Sequence, residues 1–288
     1  MVKTLISPAE LAAMTDAVPI DTRAPEAFAA GHIPGAVNLH EIFTYLATSD
    51  AEGLAKLRGT FAEAFASAGL SGAETAVLYE QSMNTGFGQS CRGYYLLTWL
   101  GYPKVAVLHG GLNAWAAAGL PITTEPTARA AAAFPLGAEP APIMATKADM
   151  LAALARPEVA ILDVRDVDEW IGESSSPYGK DFCPRKGRIP GARWIEWYRF
   201  MKPTPQGPMF KAPAEIRAEL ATVGITPDTP VYLYCFKGAR ASNTFVALKE
   251  AGLKDVRIYF GSWNEWSRDP ACPIEEGMPG IAAYAEAA

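Results

Sequence analysis

Short apolar runs of strand length alternate with amphipathic stretches along both halves of the chain. Thr75–Tyr79, Val105–Leu108 and Val231–Tyr234 are rich in β-formers and too short for a buried helix. Leu54–Ala68 and Ala214–Val223 repeat their apolar residues at helical spacing, and Ala241–Gly252 carries a further helix pattern that stops at a glycine. Strands alternating with helices predict an α/β fold, a parallel sheet with helices on both faces. Ligands of such sheets bind at the carboxyl ends of strands. Cys235 follows Val231–Tyr234 directly and occupies such an end.

The pattern occurs twice. Ile20-Asp21-Thr22-Arg23 returns as Leu162-Asp163-Val164-Arg165, and Gly31-His32-Ile33-Pro34-Gly35-Ala36 as Gly187-Arg188-Ile189-Pro190-Gly191-Ala192. Ala76-Val77-Leu78-Tyr79-Glu80 returns as Val231-Tyr232-Leu233-Tyr234-Cys235. Val107 to Trp115 returns as Ile258 to Trp266. Matches in the same order argue for duplicated domains. The Ala- and Pro-rich stretch 127–142 between the copies reads as a linker, giving domains 1–126 and 143–288.

Composition narrows the function. The 288 residues are 50% hydrophobic, enough for two cores, and only 19% are charged, with a formal net charge of −6. Nucleic acid is excluded as an expected partner, because its binders are usually basic. No run approaches the roughly 20 apolar residues of a membrane span. The N-terminus lacks an apolar signal-peptide core, so the chain reads as soluble and cytoplasmic. The four cysteines, Cys91, Cys183, Cys235 and Cys272, form no Cys-x-x-Cys pair, which argues against a zinc site or a redox dithiol.

Cys235 is where the chemistry concentrates. It sits between a strand and a helix N-terminus, where backbone N–H groups without helical partners favour negative charge. Lys237 and Arg240 lie within five residues. Such surroundings favour a thiolate, whereas a cysteine that merely fills a core has no use for two cations. Gly238 is placed to supply a backbone angle that side-chain-bearing residues avoid. Arg240 either binds substrate or pairs with a carboxylate and shapes the loop.

The Asp-x-Arg strand ends, the Gly-x-Ile-Pro-Gly-Ala turns, the strand–Cys–loop–helix unit and Tyr259-Phe260-Gly261-Ser262-Trp263-Asn264-Glu265-Trp266 together resemble the rhodaneses, specifically the tandem-domain sulfurtransferases. The resemblance covers nearly the whole chain. It implies a five-stranded parallel α/β domain in each half and a cysteine that cycles through a persulfide without metal or organic cofactor. The donor would be a small anion such as thiosulfate, its anionic end on Lys237 and the loop N–H groups. The acceptor would be cyanide, a thiol or a sulfur-acceptor protein. Glu80 stands at the cysteine position of the first copy, so that half is expected to be non-catalytic. The residue two past the cysteine separates thiosulfate enzymes, resembling Cys-Arg-Lys-Gly-Val-Thr, from mercaptopyruvate enzymes, resembling Cys-Gly-Ser-Gly-Val-Thr. Lys237 sides with thiosulfate. Phe236, Ala239 and Arg240 depart from both patterns, and Glu169 stands where the family often has a donor-binding Arg.

Two further features follow from the alignment of the copies. The second copy has fourteen more residues between its Asp-x-Arg and Gly-x-Ile-Pro-Gly segments, within Gly172–Lys186. This excursion ends in Arg185, Lys186 and Arg188, which form either an anion site or a solvated charge run. Asp21, Arg23, Asp163 and Arg165 are expected to form buried ion pairs, His32 to be a turn residue, and Trp263 and Trp266 to pack the core. Two rivals remain. A phosphatase or arsenate reductase loop has Cys-x5-Arg spacing, against Cys-x4-Arg here. A non-catalytic persulfide carrier would show the same loop and fail to turn over small donors and acceptors.

Overall fold

The computed structural model describes residues 2–127 and 129–279. Ala128 of the expected linker and residues 280–288 of the second expected domain lie outside the described residues. The strands, in chain order, are β1 (Leu5–Ile6), β2 (Ala17–Asp21), β3 (Val37–Asn38), β4 (Thr75–Tyr79), β5 (Val105–Leu108), β6 (Met144–Ala145), β7 (Ala160–Asp163), β8 (Arg193–Trp194), β9 (Met201–Lys202), β10 (Met209–Phe210), β11 (Val231–Tyr234) and β12 (Val256–Tyr259). Ten of them form two parallel five-stranded sheets of identical topology, β1-β5-β4-β2-β3 and β6-β12-β11-β7-β8, while β9 and β10 pair as an antiparallel hairpin. The expected α/β fold is present twice, with helices between the strands of each sheet.

The central strands explain their own composition. Every residue of β4 and β11 is buried. A parallel strand covered on both faces reads as a continuous apolar run, with no alternation. Each copy opens with the same start signal. Ser7 caps the helix Pro8–Ala13 in a reciprocal capping box with Glu10, and Thr146 caps Lys147–Ala153 with Asp149.

The repeated motifs turn out to be one fastening made twice. Arg165 pairs with Asp163 at 2.6 Å and donates to the Gly187 carbonyl at 2.8 Å, while Tyr234 donates to Asp163 at 2.5 Å and accepts the Ile189 N–H at 3.2 Å. In the first copy Arg23 pairs with Asp21 at 2.6 Å and donates to Gly31, and Tyr79 accepts the Ile33 N–H. The Asp-x-Arg strand end thus ties itself to the Gly-x-Ile-Pro turn in both sheets. These pairs are buried and bidentate, and stacking of the Arg165 guanidinium over the Trp263 ring at 4.5 Å adds to the second.

Two compact units divide the chain less simply than a single cut near residue 127. The first holds residues up to Tyr45, Ala55–Pro142 and Met201–Phe210; the second holds Leu46–Leu54, Ile143–Phe200 and the chain from Lys211 onward. The stretch expected to be a linker is fastened to the first unit. The Ala132 and Ala141 N–H groups donate to the Ala66 and Trp99 carbonyls, and the Phe134 ring packs on Phe65 and Tyr102. Each unit also takes a short segment from the other half of the sequence. The β9–β10 hairpin joins the first unit, where the Phe210 N–H donates to His109 at 3.0 Å. Residues 46–54 join the second, where the Ser49 N–H and hydroxyl both donate to the Glu265 carboxylate at 2.8 Å.

Candidate active site

Cys235 leaves the end of β11 and enters a turn only three residues long before the helix Ala239–Glu250 begins. Gly238 makes so tight a turn possible. Its φ is +89°, and a Cβ there would lie 2.8 Å from the Phe260 ring. The same turn aims the Gly238 N–H at the Cys235 sulfur, 3.1 Å away. The segment after β12 holds the loop from the other side. The Trp263 and Asn264 N–H groups donate to the Cys235 and Phe236 carbonyls at 3.0 and 2.9 Å.

Ser262 completes this clamp. The sequence placed it in a motif but gave it no role. Its hydroxyl accepts the Cys235 N–H at 3.2 Å and donates to the Tyr259 carbonyl at 2.8 Å. Its backbone has φ +53°, a region that costs a side-chain-bearing residue on the order of 1–2 kcal/mol. The matching residue of the first copy is Gly111, with φ +62°, where the conformation carries no such cost. The alignment of the copies held that signal: a serine replacing a glycine at a left-handed position, beside the copy that keeps the cysteine.

The two loop cations differ in their surroundings. Arg240 is fully buried and meets Glu169 through two contacts, 2.5 and 3.0 Å, with Asp166 a further 3.0 Å partner. Burial opposes its charge, but Glu169, with Cys235 and Asp166 adding to it, outweighs burial and holds the guanidinium above its ordinary pKa. Of the two readings of Arg240, the pairing with a carboxylate is present in the geometry. Glu169 therefore does not leave the family's donor-binding position vacant; it neutralises the arginine at the start of the next helix. Lys237 keeps its ammonium 5.0 Å above the Tyr178 ring.

Arg185 and Arg188 do not converge on this loop. Arg185 donates to the carbonyls of Trp266, Ser267, Asp269 and Cys272, beside the C-terminus of the helix Ser262–Trp266, where a cation meets the negative end of the helix dipole. Arg188 pairs with Glu275 at 3.1 Å, donates to the Gly277 carbonyl and stacks on Trp170. Lys186 pairs with Asp181 on the surface. Three cations close in sequence are thus spent on separate partners, and Arg185 serves to fasten the excursion down. The excursion instead sends two aromatic rings to the loop. Tyr178 and Phe182 pack edge-on against Phe236, with ring centroids 5.3 and 5.7 Å away.

The matching loop of the first copy keeps the clamp and lacks the sulfur. The Leu112 and Asn113 N–H groups donate to the Glu80 and Gln81 carbonyls, as Trp263 and Asn264 do in the second copy. The Glu80 carboxyl is buried and accepts from the Gly86 N–H at 3.0 Å and the Ser90 hydroxyl at 2.9 Å. It fills its own ring of donors. Burial pushes its pKa up to about 8, so the group is mostly neutral at pH 7 and would not repel an anion by charge. What the loop lacks is a nucleophile and an empty cradle.

This buried acid has a consequence for stability. A folded pKa above the unfolded value means that the folded state holds the proton longer. Glu80 therefore contributes most below pH 4.5, and its contribution falls as pH rises toward about 8. Glu80→Gln should remove a slope of at most about 1.4 kcal/mol per pH unit from the unfolding free energy in that window. Urea titrations between pH 5 and 8 measure it; identical slopes for the two proteins would show that Glu80 stays ionised in the fold.

The remaining cysteines are less suited to attack. Burial raises the Cys91, Cys183 and Cys272 thiols above the ordinary cysteine value, and Glu80 adds to the effect at Cys91. His32, expected to be a turn residue, lies instead just before the turn at Pro34 and Gly35, in an isolated antiparallel bridge with Thr123, its ring nitrogens against the Phe28 and Glu125 carbonyls. Trp263 and Trp266 are buried in the second core. Among the described residues no group of three or more His, Cys, Asp or Glu is placed to hold a metal ion, and no helix is long and apolar enough to cross a membrane.

The rhodanese-like domain family matches twice, at residues 7–118 and 146–269. The chain belongs to the rhodanese family. A thiosulfate sulfurtransferase of Azotobacter vinelandii is 31% identical over 274 residues, covering 94% of this chain and 96% of that protein. A thiosulfate sulfurtransferase of Pseudomonas aeruginosa is 30% identical over the same shares. The sulfur carrier protein TtuD of Thermus thermophilus is 30% identical over 75% of this chain and 76% of its own. Among solved structures, YnjE superposes with a TM-score of 0.77 at 26% identity, over 98% of this chain and 70% of that one. EanB in complex with ergothioneine gives 0.76 at 25%, over 97% and 66%. This rhodanese is a tandem-domain sulfurtransferase, and both five-stranded domains expected from the resemblance are present.

Proposed function

We propose that Cys235 takes the outer sulfur of thiosulfate and passes it to cyanide or a thiol through a persulfide. The Gly238 N–H aimed at the Cys235 sulfur is the observation that carries this reading. The thiolate attacks the sulfane sulfur, a new S–S bond forms, and the old one breaks with its electron pair leaving on sulfite. The acceptor then attacks the outer sulfur and regenerates the thiolate, a ping-pong sequence that needs no oxidant. The Gly238 N–H faces negative charge on the Cys235 sulfur. Lys237 takes the sulfonate-like end of the donor, and Arg240 acts by holding the loop shape through Glu169. The first domain is non-catalytic, since Glu80 offers no sulfur to load.

Donor choice tests the role of Lys237. Thiosulfate should exceed mercaptopyruvate in kcat/KM, and Lys237→Ser should raise the thiosulfate KM about ten- to a hundredfold, the value of one charge-assisted contact. Steady-state kinetics with both donors and cyanide would detect this. Unaltered donor kinetics in Lys237→Ser would remove the lysine from substrate binding. The likeness to a sulfur carrier protein supports a second reading, a persulfide relay to a protein acceptor. Loading of Cys235 without turnover to cyanide or dithiothreitol would favour it.

A further inference from the structure

The excursion within Gly172–Lys186 brings aromatic surface to the catalytic loop. Tyr178 and Phe182 lie 5.8 Å apart, each within 6 Å of Phe236, and Tyr178 also faces the Lys237 ammonium. Their backbone is well held. The Ser175 N–H donates to the Lys180 carbonyl, the Ser175 hydroxyl accepts the Cys183 N–H, and the Ser176 hydroxyl accepts the Tyr178 N–H. Arg185 fastens the end of the segment through its carbonyl contacts. Yet the two rings remain 46% and 48% exposed. Large apolar side chains left half in water on a fixed support, beside a nucleophile, are what a bound apolar group would cover.

The charges beside the loop point the same way. Lys237 and Arg240 are the loop cations, and Glu169 and Asp166 both face Arg240. A donor anion carrying an apolar body can place its charge by Lys237 and its body on the rings.

We propose that Tyr178 and Phe182 determine donor specificity and select, among organic thiosulfonate monoanions, one bearing an aromatic group. This rests on the reading of Cys235 as the nucleophile. The step balances as before: the Cys235 thiolate attacks the outer sulfur, the S–S bond of the donor breaks, and the electron pair leaves on an aryl sulfinate. No oxidant or reductant is consumed. The aromatic group of donor and leaving group lies against Tyr178 and Phe182, and the sulfinate end beside Lys237.

The test compares three donors, benzenethiosulfonate, methanethiosulfonate and thiosulfate, with cyanide as acceptor. The two thiosulfonates share charge and reacting sulfur and differ only in the group the rings would touch. In the wild type, benzenethiosulfonate should exceed methanethiosulfonate in kcat/KM by about tenfold after correction for their rates of uncatalysed transfer to cyanide. Phe182→Ala should lower this ratio, Tyr178→Ala/Phe182→Ala should bring it near one, and Tyr178→Phe should keep it. Both rings are half exposed, so the variants should melt close to the wild type, and a ratio taken on one protein is insensitive to partial loss of folded enzyme. A flat ratio in the wild type, or an undiminished ratio in the double variant, overturns the assignment of the rings while turnover of thiosulfate leaves the nucleophile standing. Failure of all three donors to load Cys235 overturns the nucleophile and the specificity proposal together.

Discussion

Replacing Cys235 with serine should abolish sulfur transfer and leave the fold unchanged. The hydroxyl fits the space beneath the Gly238 N–H, and the clamp on the loop uses only the Cys235 backbone, held by Ser262 and Trp263. Serine is not ionised near pH 7 and forms no persulfide, so nothing accepts the sulfane sulfur. After treatment with thiosulfate, intact mass spectrometry should find one added sulfur on the wild type and none on Cys235→Ser. Cyanide should strip the label and restore the starting mass. The three other cysteines are buried, with thiols shifted away from ionisation, and should stay unlabelled. The loss should exceed a thousandfold, as expected when a nucleophile is removed and only binding and oriented donors remain. Transfer by Cys235→Ser at the wild-type rate, or sulfur on Cys91 instead, would defeat the persulfide mechanism.

The parts of this molecule that were legible from sequence are those set by local pattern. The wholly buried β4 and β11 and the duplicated strand ends are short-range signals that form where the pattern puts them, and the helix expected over Ala241–Gly252 runs two residues earlier, Ala239–Glu250. The Asp-x-Arg pairs were legible because their partners lie two residues apart. The partners of the longer-range cations were not. Arg185 finds its carbonyls more than 80 residues away, and Arg240 finds Glu169 at a separation of 71. A run of positive charge in a sequence says nothing about which buried carbonyls or carboxylates will meet it. The exchange of residues 46–54 and of the β9–β10 hairpin between units escaped for the same reason. A single residue, Ser49, holds its segment through two bonds to a carboxylate 216 residues on, and no periodicity records such a contact. The excursion was visible as an insertion, but its cations drew attention while its rings reached the loop.

The pairing of Arg240 with Glu169 carries the largest expected effect on stability. Both side chains are buried, and Glu169 contributes two contacts, at 2.5 and 3.0 Å, one to each terminal guanidinium nitrogen. Glu169→Ala leaves a buried guanidinium with Asp166 as its remaining carboxylate partner among these contacts. Removing one partner of a buried pair costs about 3–5 kcal/mol, because the other charge is stranded away from water. Asp166 offsets part of this, so a loss of about 3 kcal/mol is expected, read from urea unfolding followed by tryptophan fluorescence. Arg240→Ala strands the carboxylate instead and should cost a similar amount. The informative variant is Glu169→Met/Arg240→Met. It removes both charges and refills the volume with apolar side chains, so its cost should fall well below the sum of the single changes. Sulfur transfer should nonetheless suffer in the double variant, since the bidentate pair fixes the first turn of the helix that follows Gly238 and so the direction of its N–H toward sulfur. Single variants each costing under about 1 kcal/mol, with additive effects in the double, would mean that water reaches the pair and that the loop takes its shape from Gly238 and the Ser262 clamp alone.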